Sequence, residues 1–251
     1  MGKRVAATVV ASFTVLCLST STASAETRLG DTQILSASVN DGKTLVIGAA
    51  AQASFSATAT ASDPAGLDYI DVLLYRDPST APTGYLAAAH DPVRTAVNDS
   101  TTRCDFSFTM GEGWLHNADA GTWRLHVNAL ALDGDYHRKE TASVNLQRAS
   151  KLTTNAAPEP VTKGKPITIT GTLSRVSWND STYHRYANQP VRLQYRTPTG
   201  HYTTVKTVTA SSTGSLKTTV TASRDGYWRY SYPGNTTTAA ANAPGDYIDV
   251  R

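Results

Sequence analysis

The chain holds 251 residues, 40% of them hydrophobic and 17% charged, with 17 glycines and 11 prolines. That balance excludes a wholly disordered chain, a collagen and a coiled coil, while the length allows one domain or two. The formal charge of +3 conceals a contrast: residues 26–150 carry nine Lys and Arg against fifteen Asp and Glu, net −6, whereas residues 151–251 carry twelve against five, net +7.

The first twenty-five residues have the layout of an export signal. Lys3 and Arg4 precede an apolar run from Val5 to Leu18, and Ala23-Ser24-Ala25 supplies the small residues of a cleavage site before Glu26. The run is shorter than the roughly 20 residues that span a bilayer. Leu16 is too bulky for a lipidation signal at Cys17. No later segment is apolar enough to anchor the chain, and the C-terminus carries no sorting tail, so a secreted, soluble mature protein without a stable membrane anchor is expected. Cys104 is then the one cysteine left, which rules out an intrachain disulfide. It alternates with Phe106 and Phe108 on one strand face, the setting of a buried, inert thiol.

After the signal the pattern is period two almost everywhere. Strands are expected at Gln33 to Val39, Ala51 to Thr60, Tyr69 to Tyr75, Thr102 to Met110, Thr122 to Leu132 and Lys139 to Leu146. Asp63-Pro64-Ala65-Gly66 and Asp133-Gly134 are turn sequences between them. The charge step falls within Gln147 to Pro160, where Pro158 and Pro160 favour an extended link, so the domain boundary is set near residue 150. Beyond it, strands read at Ile167 to Leu173, Val191 to Arg196, Tyr202 to Val208, Ser215 to Val220, Tyr227 to Tyr232 and Tyr247 to Val250. Trp228, Tyr230 and Tyr232 share a face and are read as core. No window keeps helical spacing. The expected fold is all-β: a signal peptide over residues 1–25, an acidic β-sandwich over 26–150 and a basic one over 151–251.

The second half resembles the Ig-like repeats of bacterial, often actinobacterial, secreted proteins. The resemblance rests on Gly164-Lys165-Pro166-Ile167-Thr168-Ile169-Thr170-Gly171, on Gln189-Pro190-Val191-Arg192-Leu193-Gln194, and on Thr213-Gly214-Ser215-Leu216 followed by Gly226-Tyr227-Trp228. Asp63-Pro64-Ala65-Gly66-Leu67 and Ala120-Gly121-Thr122-Trp123 give the first half a looser likeness to bacterial Ig-like domains. Such domains serve as spacers, adhesion modules and accessory units, so the resemblance implies fold and location without naming an activity.

Two groups of residues are candidates for binding. The segment from Arg175 to Asn188 is longer than a tight hairpin needs, and it holds Trp178, Tyr183, His184 and Tyr186. Aromatic faces beside hydrogen-bonding groups suit sugars, while the alternative is that Trp178 folds back over the end of the sandwich. Asp63, Asp68, Asp133 and Asp135 are candidate calcium ligands if their loops meet, ordinary turn chemistry being the other reading. No nucleophile elbow, metalloprotease helix or phosphate-cradling glycine loop occurs, and none of the six histidines has another at i+4. An enzyme is therefore not expected, and neither is a nucleic-acid partner. The leading expectation is a noncatalytic extracellular binding module for a cell-wall polyanion or glycan. The alternatives are a structural spacer or self-associating surface protein, a calcium-binding secreted protein, and a hydrolase or enzyme inhibitor whose key loop is unrecognised.

Overall fold

The computed structural model describes residues 26–76, 84–111 and 113–251, and the expected signal segment lies outside them. The chain is built from antiparallel sheets, with two short 3-10 turns at Asn40–Gly42 and Asn117–Asp119. Among the described residues no helix is long and apolar enough to cross a membrane.

The alternating segments of the first half pack as two facing sheets. One runs in the order Thr27–Leu29, Tyr136–Arg148, Gly121–Ala131, Leu67–Arg76 and Tyr85–Ala87, with Leu45–Ile47 added parallel to the end of Tyr136–Arg148. The other runs Gln33–Val39, Ala53–Ser62, Thr101–Met110 and Val93–Asn98. Period two decides what lies between them: Ala57, Ala59 and Ala61 from one strand and Cys104, Phe106 and Phe108 from its neighbour all point inward. Phe55 and Phe108 sit opposite each other in register and stack with ring centroids 5.1 Å apart. Small Ala side chains on one strand leave room for the aromatic rings of the next, which keeps the layer close-packed. Cys104 is fully buried there, as expected, and burial pushes its thiol pKa up.

The second half has its own core. The strand Pro166–Ser177 is flanked along its length by Ser150–Leu152, Asn155–Ala157, Thr182–Arg185 and Ser215–Thr221. Facing it, Thr203–Thr209, Pro190–Arg196 and Gly226–Tyr232 form a sheet in that order, extended by Ala241–Asn242 and Asp246–Ile248. Trp228, Tyr230 and Tyr232 are buried against Ile167, Ile169 and Leu193, in agreement with their reading as core. The Tyr230 hydroxyl donates to the Ile169 carbonyl at 3.0 Å, so a polar tip is carried into the core without being orphaned.

The expected extended link does not exist as one. The strand Tyr136–Arg148 ends one residue before Ser150–Leu152 begins, and Ala149 alone separates them. Residues read as linker are strand instead, because Ser150–Leu152 and Asn155–Ala157 satisfy their backbone groups on Pro166–Ser177. The junction is bonded from several directions. Ala149 N donates to Ile47 O at 3.0 Å and Val176 N to Ala149 O at 2.9 Å. Arg148 N donates to Thr237 O at 3.1 Å and Ala239 N to Arg148 O at 3.0 Å.

Candidate functional site

The segment expected to display an aromatic surface does something else. Its first residues complete the strand Pro166–Ser177, and Thr182–Arg185 folds back antiparallel on Ser174–Ser177. Trp178, at the tip, is only 3% exposed and lies in the core of the first sandwich. Its indole Nε1 donates to Ile47 O at 3.2 Å, and its backbone N donates to Asn117 Oδ1 at 2.9 Å. Trp178 is thus a plug between the two sandwiches, a correction to its reading as a ligand platform. Burying an indole with its N–H satisfied is more favourable than leaving it in water. Tyr183 packs against the same core, with the Lys151 ammonium 3.9 Å from its ring centre. Tyr186 is held under the Arg175 guanidinium at 3.9 Å and edge-on to Tyr232 at 6.0 Å. His184 is exposed, with Nε2 at 2.7 Å from Asp180 Oδ2. This hydrogen bond, ahead of those from Thr182, holds the Asp180 carboxyl down at about 2. The four residues share a hairpin but form no common open surface.

The aromatic surface is elsewhere. Trp114 and Tyr85 are 65% and 75% exposed, and both line a cleft of about 250 Å³ on the first sandwich. Tyr85 comes from the edge strand Tyr85–Ala87, where it pairs with Tyr75. Trp114 follows a turn in which its N donates to Gly111 O at 3.4 Å, and Gly113 takes a φ of 79° that favours glycine. The floor is apolar and rigid: Leu86, Met110, Leu115 and Trp123 are all buried. Asp119 and His116 form the polar side. Asp119 Oδ2 accepts from His116 N at 2.7 Å and lies 3.7 Å from His116 Nδ1, while Asp119 O accepts from Trp123 Nε1 at 2.9 Å. Chemically this is a cleft with buried apolar residues, two exposed aromatic side chains, and a carboxylate and an imidazole along its lining. Sequence reasoning passed over it. The signal available was Gly111 and Gly113 just before Trp114, which end the strand ahead of the tryptophan.

The candidate calcium ligands are partly brought together. Asp63 and Asp135 meet Asp31, which the sequence reading missed, with one carboxylate oxygen of each within 4.8 Å of the others. Asp68 and Asp133 stand outside this group. Asp63 is buried and occupied: it accepts from Thr32 Oγ1 at 2.7 Å and from Ala65 N at 2.8 Å. The second of these is the turn chemistry expected of Asp-Pro. Asp133 likewise accepts from Asp135 N at 3.1 Å, and Asp135 accepts from Asp31 N at 3.1 Å. Desolvation, then Asp63 and Asp135, push the Asp31 carboxyl pKa up. A calcium ion takes six to eight oxygens, and this group offers carboxylates from three loops, with two of Asp63's lone pairs already used.

On the second sandwich, the outer face of Pro190–Arg196 and Gly226–Tyr232 carries guanidinium groups on tyrosine rings. Arg196 lies 4.0 Å from the Tyr227 ring centre and Arg229 3.8 Å from that of Tyr202. Arg229 Nε donates to Gln194 Oε1 at 2.9 Å and Arg196 Nη1 to Pro198 O at 2.7 Å. Among the described residues no carboxylate forms an ion pair with Arg192, Arg196 or Arg229; on this half the acidic partners are Asp180 with His184 and Asp249 with Arg251.

No protein-family model matches this sequence, and no curated protein sequence matches it. Solved structures overlay on it at low similarity. A tetra-tandem repeat from the extending region of a large adhesion protein is 13% identical with a TM-score of 0.32, covering 85% of this chain and 48% of its own. The chain therefore spans about half the length of that repeat array. The fibronectin(III)-like modules of Clostridium thermocellum CbhA are 12% identical with a TM-score of 0.34, over 87% and 92% of the two chains. The Escherichia coli adhesin FdeC is 16% identical with a TM-score of 0.33, over 88% and 64%. At these scores none of the likenesses bears on function.

Proposed function

We propose that the chain is a noncatalytic extracellular binding module that takes a glycan in the cleft between Tyr85 and Trp114. The observation that supports this reading is a pair of exposed aromatic rings above a buried apolar floor, with Asp119 and His116 at its side. A sugar ring presents C–H groups on its faces and hydroxyls at its rim, and such a site answers both. Large aromatic residues at a protein surface are usually scattered singly, so two on one cleft are informative. Export by the segment before Glu26 belongs to the same reading.

Retention on immobilised polysaccharides, followed by titration with the oligosaccharide that binds, tests it. Trp114→Ala is expected to weaken binding at least tenfold and Trp114→Phe to keep most of it, with unchanged circular dichroism. If Trp114→Ala and Tyr85→Ala bind as the wild type does, the cleft is not the site.

A second reading is favoured by the unpaired guanidinium groups on the basic half: attraction to an anionic wall polymer through Arg192, Arg196 and Arg229. Salt discriminates the two. Electrostatic attachment weakens as the Debye length falls from about 10 Å at 0.1 M toward 3 Å at 1 M, whereas stacking on Trp114 is nearly indifferent to it.

A further inference from the structure

The junction between the sandwiches contains an unusual pair of charges. Arg148 is the last residue of the strand Tyr136–Arg148 and is only 7% exposed. Its Nε is buried and has no hydrogen-bond partner among the described residues. Arg175, on the strand Pro166–Ser177, stands close enough to add to the depression of Arg148, whose pKa is pushed down to about 10 by burial first and by this second cation next. Burial lowers the Arg175 pKa as well. Arg175 is held in place by stacking on Tyr186 and by donating from Nη1 to Thr238 Oγ1 at 3.1 Å.

A buried cation beside a half-buried one destabilises a fold unless something compensates them. No ion pair among the described residues supplies that compensation. Among the described residues no carboxylate pairs with Arg148, Arg175 or Arg185, and Asp180, on the adjoining hairpin, is engaged by His184, Thr182 and Ser177. What the junction supplies instead is space: a cavity of about 190 Å³ lined by Asn117, Arg148, Arg175, Ser177, His184 and Arg185. Every ionisable group on that wall is cationic or neutral.

We propose that this cavity is a binding site for a single tetrahedral oxyanion of the phosphate class. Guanidinium forks match the spacing of phosphate oxygens, and a charge-assisted hydrogen bond is roughly twice as strong as a neutral one. A bound oxyanion accepts from the guanidinium groups that line the cavity, and it neutralises the repulsion between Arg148 and Arg175. Because Arg148 belongs to the first sandwich and Arg175 and Arg185 to the second, the anion also ties the two together. The volume suits one such ion with a few waters, at about 30 Å³ per water. A phosphate carried on a larger molecule and free phosphate share this chemistry, and the site is independent of the aromatic cleft.

The test is thermal unfolding and calorimetric titration of the chain from Glu26 onward with inorganic phosphate, against chloride at matched ionic strength. A saturable rise of several degrees in the unfolding midpoint with phosphate, reproduced by sulfate, is the expected result. Glycerol phosphate as a third arm asks whether a phosphomonoester enters: a comparable rise means the site is open to phosphate on a carrier, and no rise restricts it to the free ion. Arg148→Met is expected to abolish the phosphate-dependent rise while leaving the midpoint in chloride unchanged or higher, since it removes the uncompensated charge. Should Arg148→Met fail to fold, Arg185→Gln, an exposed position, is expected to weaken phosphate binding several-fold with the fold intact. Trp114→Ala is expected to leave the phosphate response untouched, so loss of glycan binding and loss of this site are separable. Equal midpoints in phosphate and matched chloride, or an identical phosphate response in wild type and the folded arginine variants, would overturn the proposal.

Discussion

Trp114 and Trp178 invite comparison because both stand in turns just beyond a strand, and they meet opposite fates. Trp178 follows directly on Pro166–Ser177 and is driven into the neighbouring sandwich, where Ile47 O accepts its N–H. Trp114 comes four residues after Thr101–Met110 and stands out from the surface. What separates them is not the residue but what the turn meets. Asn117 takes the Trp178 backbone N on its Oδ1 and donates from Nδ2 to Ser177 Oγ at 3.1 Å, so a polar bracket from the first sandwich seats the hairpin. Among the described residues no comparable bracket reaches over Trp114, which stays 65% exposed. An aromatic residue in a loop therefore stays at the surface only when no neighbouring domain has a socket for it.

The contrast can be broken most directly by truncating each ring. Trp178→Ala is expected to cost about 3–5 kcal/mol, the usual range for emptying a buried tryptophan site. Trp114→Ala should stay within about 0.5 kcal/mol, as for an ordinary surface change. Urea unfolding of both variants checks this, and similar midpoints for the two would erase the distinction. Next in size, Asn117→Ala removes the acceptor of the Trp178 backbone N–H and is expected to cost about 1–3 kcal/mol in the same experiment. A loss that vanishes in the Trp178→Ala background would show that the bracket acts through the plug.

Smaller effects come from charge. Asp31 has its carboxyl pKa raised, so the folded state binds a proton more readily than the unfolded chain. The associated penalty is fully present above the folded pKa and is relieved as pH falls toward 3.8. Asp31→Asn should therefore raise the melting midpoint at pH 7 by a degree or so, and the gain should shrink in acid. Millimolar Ca²⁺ and Mg²⁺ are expected to act alike on the wild type; a gain specific to Ca²⁺ and lost in Asp31→Asn would mark a coordinated ion. Smallest is the hairpin pair of Asp180 and His184. With the folded carboxyl held at about 2 against 3.8, its stabilisation is present above pH 4 and lost as pH falls through 2. Asp180→Asn should flatten that part of the acid limb in a pH series of melts.

The period-two reading found the strands that face a core. Ala53–Ser62 alternates buried and open residues along most of its length, and Gln33–Val39 is reproduced residue for residue. Val93–Asn98 was missed because all six of its residues are exposed, so no inward face stamps an alternation on it. Thr182–Arg185 is only four residues long with Tyr183 alone turned inward, too short a stretch for alternation to show. Asp63 and Asp135 were recognisable as turn carboxylates, whereas Asp31 joins them only through sheet pairing across the fold, a separation that local pattern does not encode. Arg148 was hidden more thoroughly. It lay at the start of what read as a linker, and a cation in a linker gives no hint of burial.

The single residue between the sandwiches also governs how a pull on the chain is carried. A slack linker of ten residues can pay out roughly 35 Å before either fold feels tension, since an extended chain spans at most about 3.3–3.6 Å per residue. Ala149 offers one such step, and its amide and carbonyl are already clasped by Ile47 and Val176. Tension applied at the two ends therefore reaches the Ile47, Val176, Thr237 and Ala239 bonds together, as strands sharing a load. Two sandwiches joined in this way have no slack between them to take up before the junction bonds are loaded.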